Sequence, residues 1–178
     1  MFFQVTNIEE NNVQGNVTKV TASLRTGIIE VLEGHIDMMG RIDDDTLVSE
    51  SMVEGRMVRK EFLIRKGVLV VSNGGLSSDA PKGTYVLVHS KEMVELTGSR
   101  NEKTIDELAQ KLNKKNLELD KLLEKMNLSL IDLTGSENRR KIFEGKFGIK
   151  VKNTYGDVKF FEKASARLKG NLRGQNNS

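Results

Sequence analysis

The hydrophobic period of this chain changes once, near residue 100, and the change commits the two sides to different kinds of core. Before it, short runs rich in Val and Ile alternate or form brief apolar blocks. In Val17 to Leu24, for instance, Val20, Ala22 and Leu24 fall on one face. Phe62 to Val71 is interrupted by the turn-like Lys66-Gly67, and Tyr85-Val86-Leu87-Val88 follows a loop with Asn73-Gly74-Gly75 and Pro81. Short β-branched runs spaced by Gly, Asn and Asp predict strands with one buried face, as in a small sandwich or barrel. After the change, Ile105, Leu108, Leu112, Leu119, Leu122 and Met126 step by three and four, with Lys115 the single polar break. That spacing predicts a helix with a narrow seam, suited to one neighbouring helix or to a coiled-coil partner. Thr104-Ile105-Asp106-Glu107 has the form of a capping box at its start. A second helix is expected from about Asp157, with Val158, Phe161, Ser165, Leu168 and Leu172 as its stripe. Between the helices, Lys146 to Val151 reads as a short strand or an irregular segment. The expected fold is an all-β sandwich or barrel over 1–97 and an extended α-helical hairpin over 98–178.

Charge divides at the same place. Residues 1–99 hold 10 Lys/Arg against 14 Asp/Glu, and residues 100–178 hold 18 against 11. The positive excess is concentrated in 136–178, with 11 basic and 4 acidic residues. With no cysteine among 178 residues, disulfides, thiolate metal sites and Cys nucleophiles are excluded. Two histidines, His35 and His89, stand far apart, and Gly145-Lys146-Phe147 lacks the upstream glycine and the hydroxyl of a phosphate-binding loop. Asp43-Asp44-Asp45 runs into Thr46-Leu47-Val48, which breaks the ligand alternation of a calcium loop. Apolar runs fall short of the ~18 residues a membrane helix needs. Met1 to Val5 has the form of neither a signal nor a transit peptide, so the expectation is a soluble protein that stays where it is made.

The informative string is Gly27-Ile28-Ile29-Glu30-Val31-Leu32-Glu33-Gly34-His35-Ile36-Asp37-Met38-Met39-Gly40-Arg41-Ile42. It resembles the signature of the epsilon subunit of F-type ATP synthases (delta in mitochondria), in which a Gly-rich strand runs into a Leu-Pro-Gly-His turn. Other features agree in order. Phe3 to Thr6 leads into Val13 to Val17, Phe62 to Val71 is similar to the family's Gly-Gly-Phe-Leu-Glu-Val strand pair, and Tyr85 to Val88 sits where the family has Val-Thr-Val-Leu. The resemblance covers 1–95 by motif and 96–178 by architecture. It implies a non-catalytic rotor subunit with no cofactor and no metal. Its implied partners are a gamma-type shaft subunit, alpha- and beta-type catalytic subunits, and a membrane rotor ring where one is attached. The implied place is cytoplasmic and peripheral on the inner face of the plasma membrane, or on the matrix or stromal face in an organelle.

Departures from the family pattern mark the expected interface. Glu33 replaces the family's proline, Glu30 a glycine, and Ile28 a common acid, so Ile28, Glu30, Glu33, Gly34 and His35 are candidate partner-contact residues. The substitutions also suggest a variant in which a divergent F-type-like ATPase is not coupled to an ordinary ring. The Ser72 to Thr84 loop and the helical region are longer than the family's. Ile131-Asp132-Leu133-Thr134-Gly135-Ser136 has the Asp of the family's ATP-binding motif but neither its Arg nor its Ala, so no nucleotide site is carried over. His35 reads as a structural hydrogen-bonding residue or a titrating one. Arg139, Arg140, Lys141, Lys163 and Arg167 are the other candidates. They read as a solvated face, as a nucleic-acid surface interleaved with Phe143, Phe147, Tyr155, Phe160 and Phe161, or, from the resemblance, as contacts with an acidic loop that restrains rotation.

Overall fold

Among the described residues, ten strands form two five-stranded sheets packed as a sandwich. In the computed structural model they are β1 (Phe2–Asn7), β2 (Asn12–Asn16), β3 (Lys19–Leu24), β4 (Gly27–Val31), β5 (Met38–Ile42), β6 (Asp45–Val53), β7 (Arg56–Arg65), β8 (Gly67–Asn73), β9 (Thr84–Ser90) and β10 (Glu92–Glu95). The structure describes residues 1–9, 12–74, 82–97, 102–145 and 147–175, with backbone alone at 102–104 and 171–175. One sheet has the order β2-β1-β9-β8-β5 and the other β10-β7-β6-β3-β4. All pairs are antiparallel except β1 with β9, where Phe2 lies opposite Tyr85 in parallel register.

Alternation places the core. Phe3 and Val5 of β1, Val20 and Ala22 of β3, Leu47 of β6, Phe62 and Ile64 of β7 and Val86 and Val88 of β9 share one buried cluster between the sheets. The Lys66-Gly67 break is a corner: β7 ends in one sheet and β8 begins in the other, with only Lys66, at φ +48, between them. A Cβ on Gly67 would stand 2.5 Å from Ile64 Cγ2, so this bend packs too closely for a side chain. Arg65, just before it, is 2% exposed, and its guanidinium meets the Asp44 carboxylate at 2.5 Å. The triple aspartate therefore serves local structure. Asp43 accepts a hydrogen bond from Arg41, and Asp45 accepts from the amide and hydroxyl of Thr46.

The chain divides into two compact units, Met1–Gly98 and Ser99–Ser178. In the second, α1 (Glu102–Glu124) packs on α3 (Gly148–Gln175), giving a helical hairpin, with a 3-10 turn (Leu130–Leu133) and α2 (Ser136–Glu144) in the connection. Leu119, Leu122 and Leu123 of α1 share a core with Leu133, Ile142, Val151 and Val158. Lys115, the polar break in the seam, reaches Asp157 of α3 at 3.4 Å, and Asp157 is almost fully buried.

Three sequence expectations change. The second long helix begins at Gly148, not near Asp157, so neither a strand nor an irregular segment occupies 148–151. Val151 and Thr154 extend the buried stripe upstream, and their burial overrides the poor helix propensity of Asn153 and Gly156. The first helix begins at Glu102, so Thr104 lies inside it instead of capping it. The side chain of Thr104, the loop residues 75–81 with Pro81, Lys146, the side chains of Leu172 and Arg173, and the tail from 176 lie outside the described residues.

Candidate functional site

The first candidate lies where β4 leaves the sandwich edge. Leu32-Glu33-Gly34-His35 form a β-turn closed by the His35 amide donating to the Leu32 carbonyl at 3.1 Å. Gly34 occupies the third position at φ +82, the left-handed value that type II turns demand of that residue. Proline suits the second position of such a turn because its ring presets φ. Glu33 stands there instead, and its carboxylate has other work. One oxygen meets the Met1 ammonium at 2.7 Å and the other accepts from the Thr84 amide at 2.8 Å. The ammonium and then the Thr84 amide hold the Glu33 carboxyl below its ordinary pKa. Thr84 also turns its hydroxyl to the Gly34 amide at 2.7 Å, so β9 fastens the turn from two directions. His35 directs Nδ1 to the Ile36 carbonyl at 2.8 Å, a local structural bond.

Glu30 is more than half exposed and reaches Lys19 at 3.6 Å, while Glu50 meets the same ammonium at 3.1 Å. The hydrogen bond to Glu50, reinforced by both carboxylates, raises the Lys19 pKa. Ile28 is 74% exposed on the edge strand β4. Its neighbours along the chain form a group that the sequence reading did not single out: Leu32, Ile36 and Met39 are also largely exposed. The period-two pattern of Met38-Met39-Gly40-Arg41-Ile42, with Ile42 buried, was the available signal, because it turns Met39 and Arg41 away from the core. Four exposed apolar side chains fall within 12 residues of the chain here, and exposed apolar groups of this kind suit burial against a partner.

The second candidate lies in the helical unit. The structure sets Arg139, Arg140 and Lys141 on α2, and Lys163 and Arg167 one turn apart on α3. They do not converge on one point. Arg140 pairs with Glu144 at 3.0 Å and Lys141 with Glu137 at 3.1 Å, both exposed pairs within α2. Arg139 lies over the Tyr155 ring at 6.0 Å from its centre, and Lys159 Nζ approaches the same ring at 5.6 Å. The Lys159 pKa is raised, chiefly by its hydrogen bond to Glu162. A shallow cleft of about 270 Å³ opens between Ser136, Arg139, Arg140, Phe143, Glu144 and Lys152. Phe160 and Phe161 are buried, stacked edge to face, and closed to any base. In the connection, Asp132 accepts hydrogen bonds from the Ser129 amide at 2.7 Å and hydroxyl at 2.9 Å, which lower its pKa.

No protein-family model matches this chain, and no curated protein does. Solved structures resemble it. A chain of the Euglena gracilis mitochondrial ATP synthase, in its OSCP/F1/c-ring assembly, aligns with 93% of this chain and 79% of its own, at 19% identity and a TM-score of 0.48. A chain of the Tetrahymena thermophila mitochondrial ATP synthase central stalk and c-ring aligns with 93% of this chain and 96% of its own, at 15% identity and a TM-score of 0.44.

Proposed function

We propose that this protein is a non-catalytic rotor subunit of an F-type ATPase, of the epsilon type. The observation that carries the reading is the turn at Leu32–His35. The ordered set of motifs around it resembles the epsilon signature, and the turn takes the glycine conformation that a Gly-His signature requires. It sits on a ten-stranded sandwich followed by a helical hairpin, the architecture that the resemblance implies. The work is mechanical. The sandwich docks on a gamma-type shaft through its exposed apolar edge, and the hairpin restrains hydrolysis by meeting acidic surface on the catalytic subunits.

Glu33 changes the account of that edge. Its carboxylate is tied to Met1 and Thr84, so its substitution for proline has an internal explanation and is weaker support for an altered partner than Ile28 and Glu30 are. A complex without an ordinary membrane ring rests on those two residues. The nucleic-acid reading has less behind it: two of its three clustered cations are already ion-paired, and two of its five aromatics are buried.

Affinity purification of the tagged full-length chain in mild detergent tests the proposal. Gamma-, alpha- and beta-type ATPase subunits should accompany it in fixed ratio. Recovery of nucleic acid at physiological salt with no ATPase subunits would overturn it.

A further inference from the structure

The outer faces of the two sheets differ in charge. Outward positions of β3, β4 and β6 hold Lys19, Glu30 and Glu50, joined in one ion cluster. In the other sheet the core takes Phe3, Leu69, Val71, Val86, Val88 and Ile42, so the positions between them along each strand point outward. Among the described residues of its five strands, Arg41 is the one outward residue with a fixed charge, and Asp43 pairs with it at 2.6 Å. The chain as a whole is 30% charged, so this face is nearly neutral by arrangement and not by composition.

Strand register brings the apolar members together. Met39 stands opposite Val70, Val70 opposite Leu87, and Leu87 opposite Gln4. From Met39 to Gln4 this row spans about 14 Å, three strand spacings. The next row on the same face runs Arg41, Val68, His89 and Thr6. A shallow depression of about 250 Å³ lies on these rows, lined by Val68, Val70 and Leu87 together with Gln4, Thr6 and His89. Thr6 Oγ1 and His89 Nδ1 lie 3.0 Å apart and engage each other. Val68 is 42% exposed and Met39 73%, so the face is open there. Its chemistry narrows the occupant. Nucleic acid or anionic lipid headgroups would need cations that this face lacks. A charged protein surface would bury its charges without partners, at a cost that an apolar surface avoids. Met39 is also one of the exposed apolar residues ascribed above to the shaft contact, so the face adjoins that contact.

We propose that the outer face of β1, β9, β8 and β5 is a second part of the shaft-docking surface. There an apolar, uncharged segment of the gamma-type subunit seats one side chain in the Val68–Val70–Leu87 depression, as a buried anchor at the centre of an interface does. This inference rests on the rotor reading.

The test compares variants of the tagged full-length chain in the affinity purification with ATPase subunits. Val68→Glu and Leu87→Lys each place a charge in the depression and should lower recovery of the gamma-type subunit about tenfold or more. Met57→Glu makes a change of the same kind on β7 of the other sheet, at a residue 59% exposed, and should recover it as the wild type does. A second readout needs no disruptive change: the thiol of Val68→Cys should be alkylated about tenfold or more slowly in the purified assembly than in the isolated chain. Wild-type recovery by Val68→Glu, with the Val68→Cys thiol equally reactive in both states, would overturn the inference and leave the rotor reading standing. Losses matched by Met57→Glu would overturn it too. So would protection of the thiol in the isolated chain that grows with its concentration, which marks a second copy as the occupant. A wild-type chain that recovers no ATPase subunit removes the rotor reading and this inference together.

Discussion

Replacing Lys115 by alanine removes the one cation that interrupts the apolar seam between α1 and α3 among the described residues. Its partner, Asp157, is 3% exposed, while Lys115 is 26% exposed and is shared with Glu118 at 3.2 Å. Breaking a fully buried pair costs ~3–5 kcal/mol, because the remaining charge is left in a poor medium. An exposed pair is worth ~0.2–1 kcal/mol. One buried and one partly solvated member places Lys115→Ala between these, at about 1–3 kcal/mol. The double variant Lys115→Leu/Asp157→Leu removes both charges and fills the seam, so it should be no less stable than Lys115→Ala, since apolar replacements of buried pairs are often neutral or stabilising. Burial acts to lower the Lys115 pKa, but the Glu118 hydrogen bond and the Asp157 and Glu118 charges outweigh it, and the net shift is upward. A raised folded-state pKa means that the stabilisation is fully present below the ordinary value of 10.5 and lost as pH rises through the higher folded value. Urea unfolding of the full chain, followed by helical circular dichroism at neutral and strongly alkaline pH, measures all three effects. A cost below ~0.5 kcal/mol for Lys115→Ala, or a double variant as damaging as the summed single changes, would refute the reasoning.

Gly34→Ala should cost ~1–2 kcal/mol in thermal or urea unfolding, because its φ of +82 suits glycine while an added Cβ meets no atom within 4 Å. Gly34→Asn should cost less. Glu33 and Asp132 have lowered pKa values, so each contributes stability above the ordinary carboxylate range that is lost as pH falls through its folded value. Acid titration of the wild type against Glu33→Gln should therefore converge at low pH. Changing Arg139, Arg140, Lys141, Lys163 and Arg167 together to alanine should raise ATP hydrolysis by the assembled complex, most at low ionic strength where screening is weakest. The isolated wild-type protein should show no salt-sensitive affinity for DNA or RNA in a filter-binding assay.

Lys19–Leu24 was legible because one face is buried and period-two alternation is a direct image of that burial, and Thr84–Ser90 was legible as a brief apolar block, Tyr85 being buried beside Val86 and Val88. The first helix was legible for the same reason at a different period. The start of α3 was not, since Gly148, Asn153 and Gly156 weaken the local signal and the helix is held by long-range burial of Val151. Ion pairs across elements carry no local sequence mark. Lys115 could be seen as an interruption, but Asp157 as its partner could not, and the pairing of buried Arg65 with the partly exposed Asp44 was missed altogether. At the candidate site, the turn was readable from Gly34-His35. The engagement of Glu33 with Thr84 depends on contact between residues 51 positions apart, which no spacing rule supplies.

Because the chain contains no cysteine, one introduced at Ile36, in the exposed apolar edge beside the turn, is its only thiol. A thiol-directed photo-cross-linker placed there in the full-length protein, activated in the purified assembly, reports what that edge touches. A covalent product with the gamma-type shaft or a rotor-ring subunit is the result predicted for a rotor subunit. Efficient labelling with no cross-link to any ATPase subunit, in a preparation that hydrolyses ATP, would contradict it.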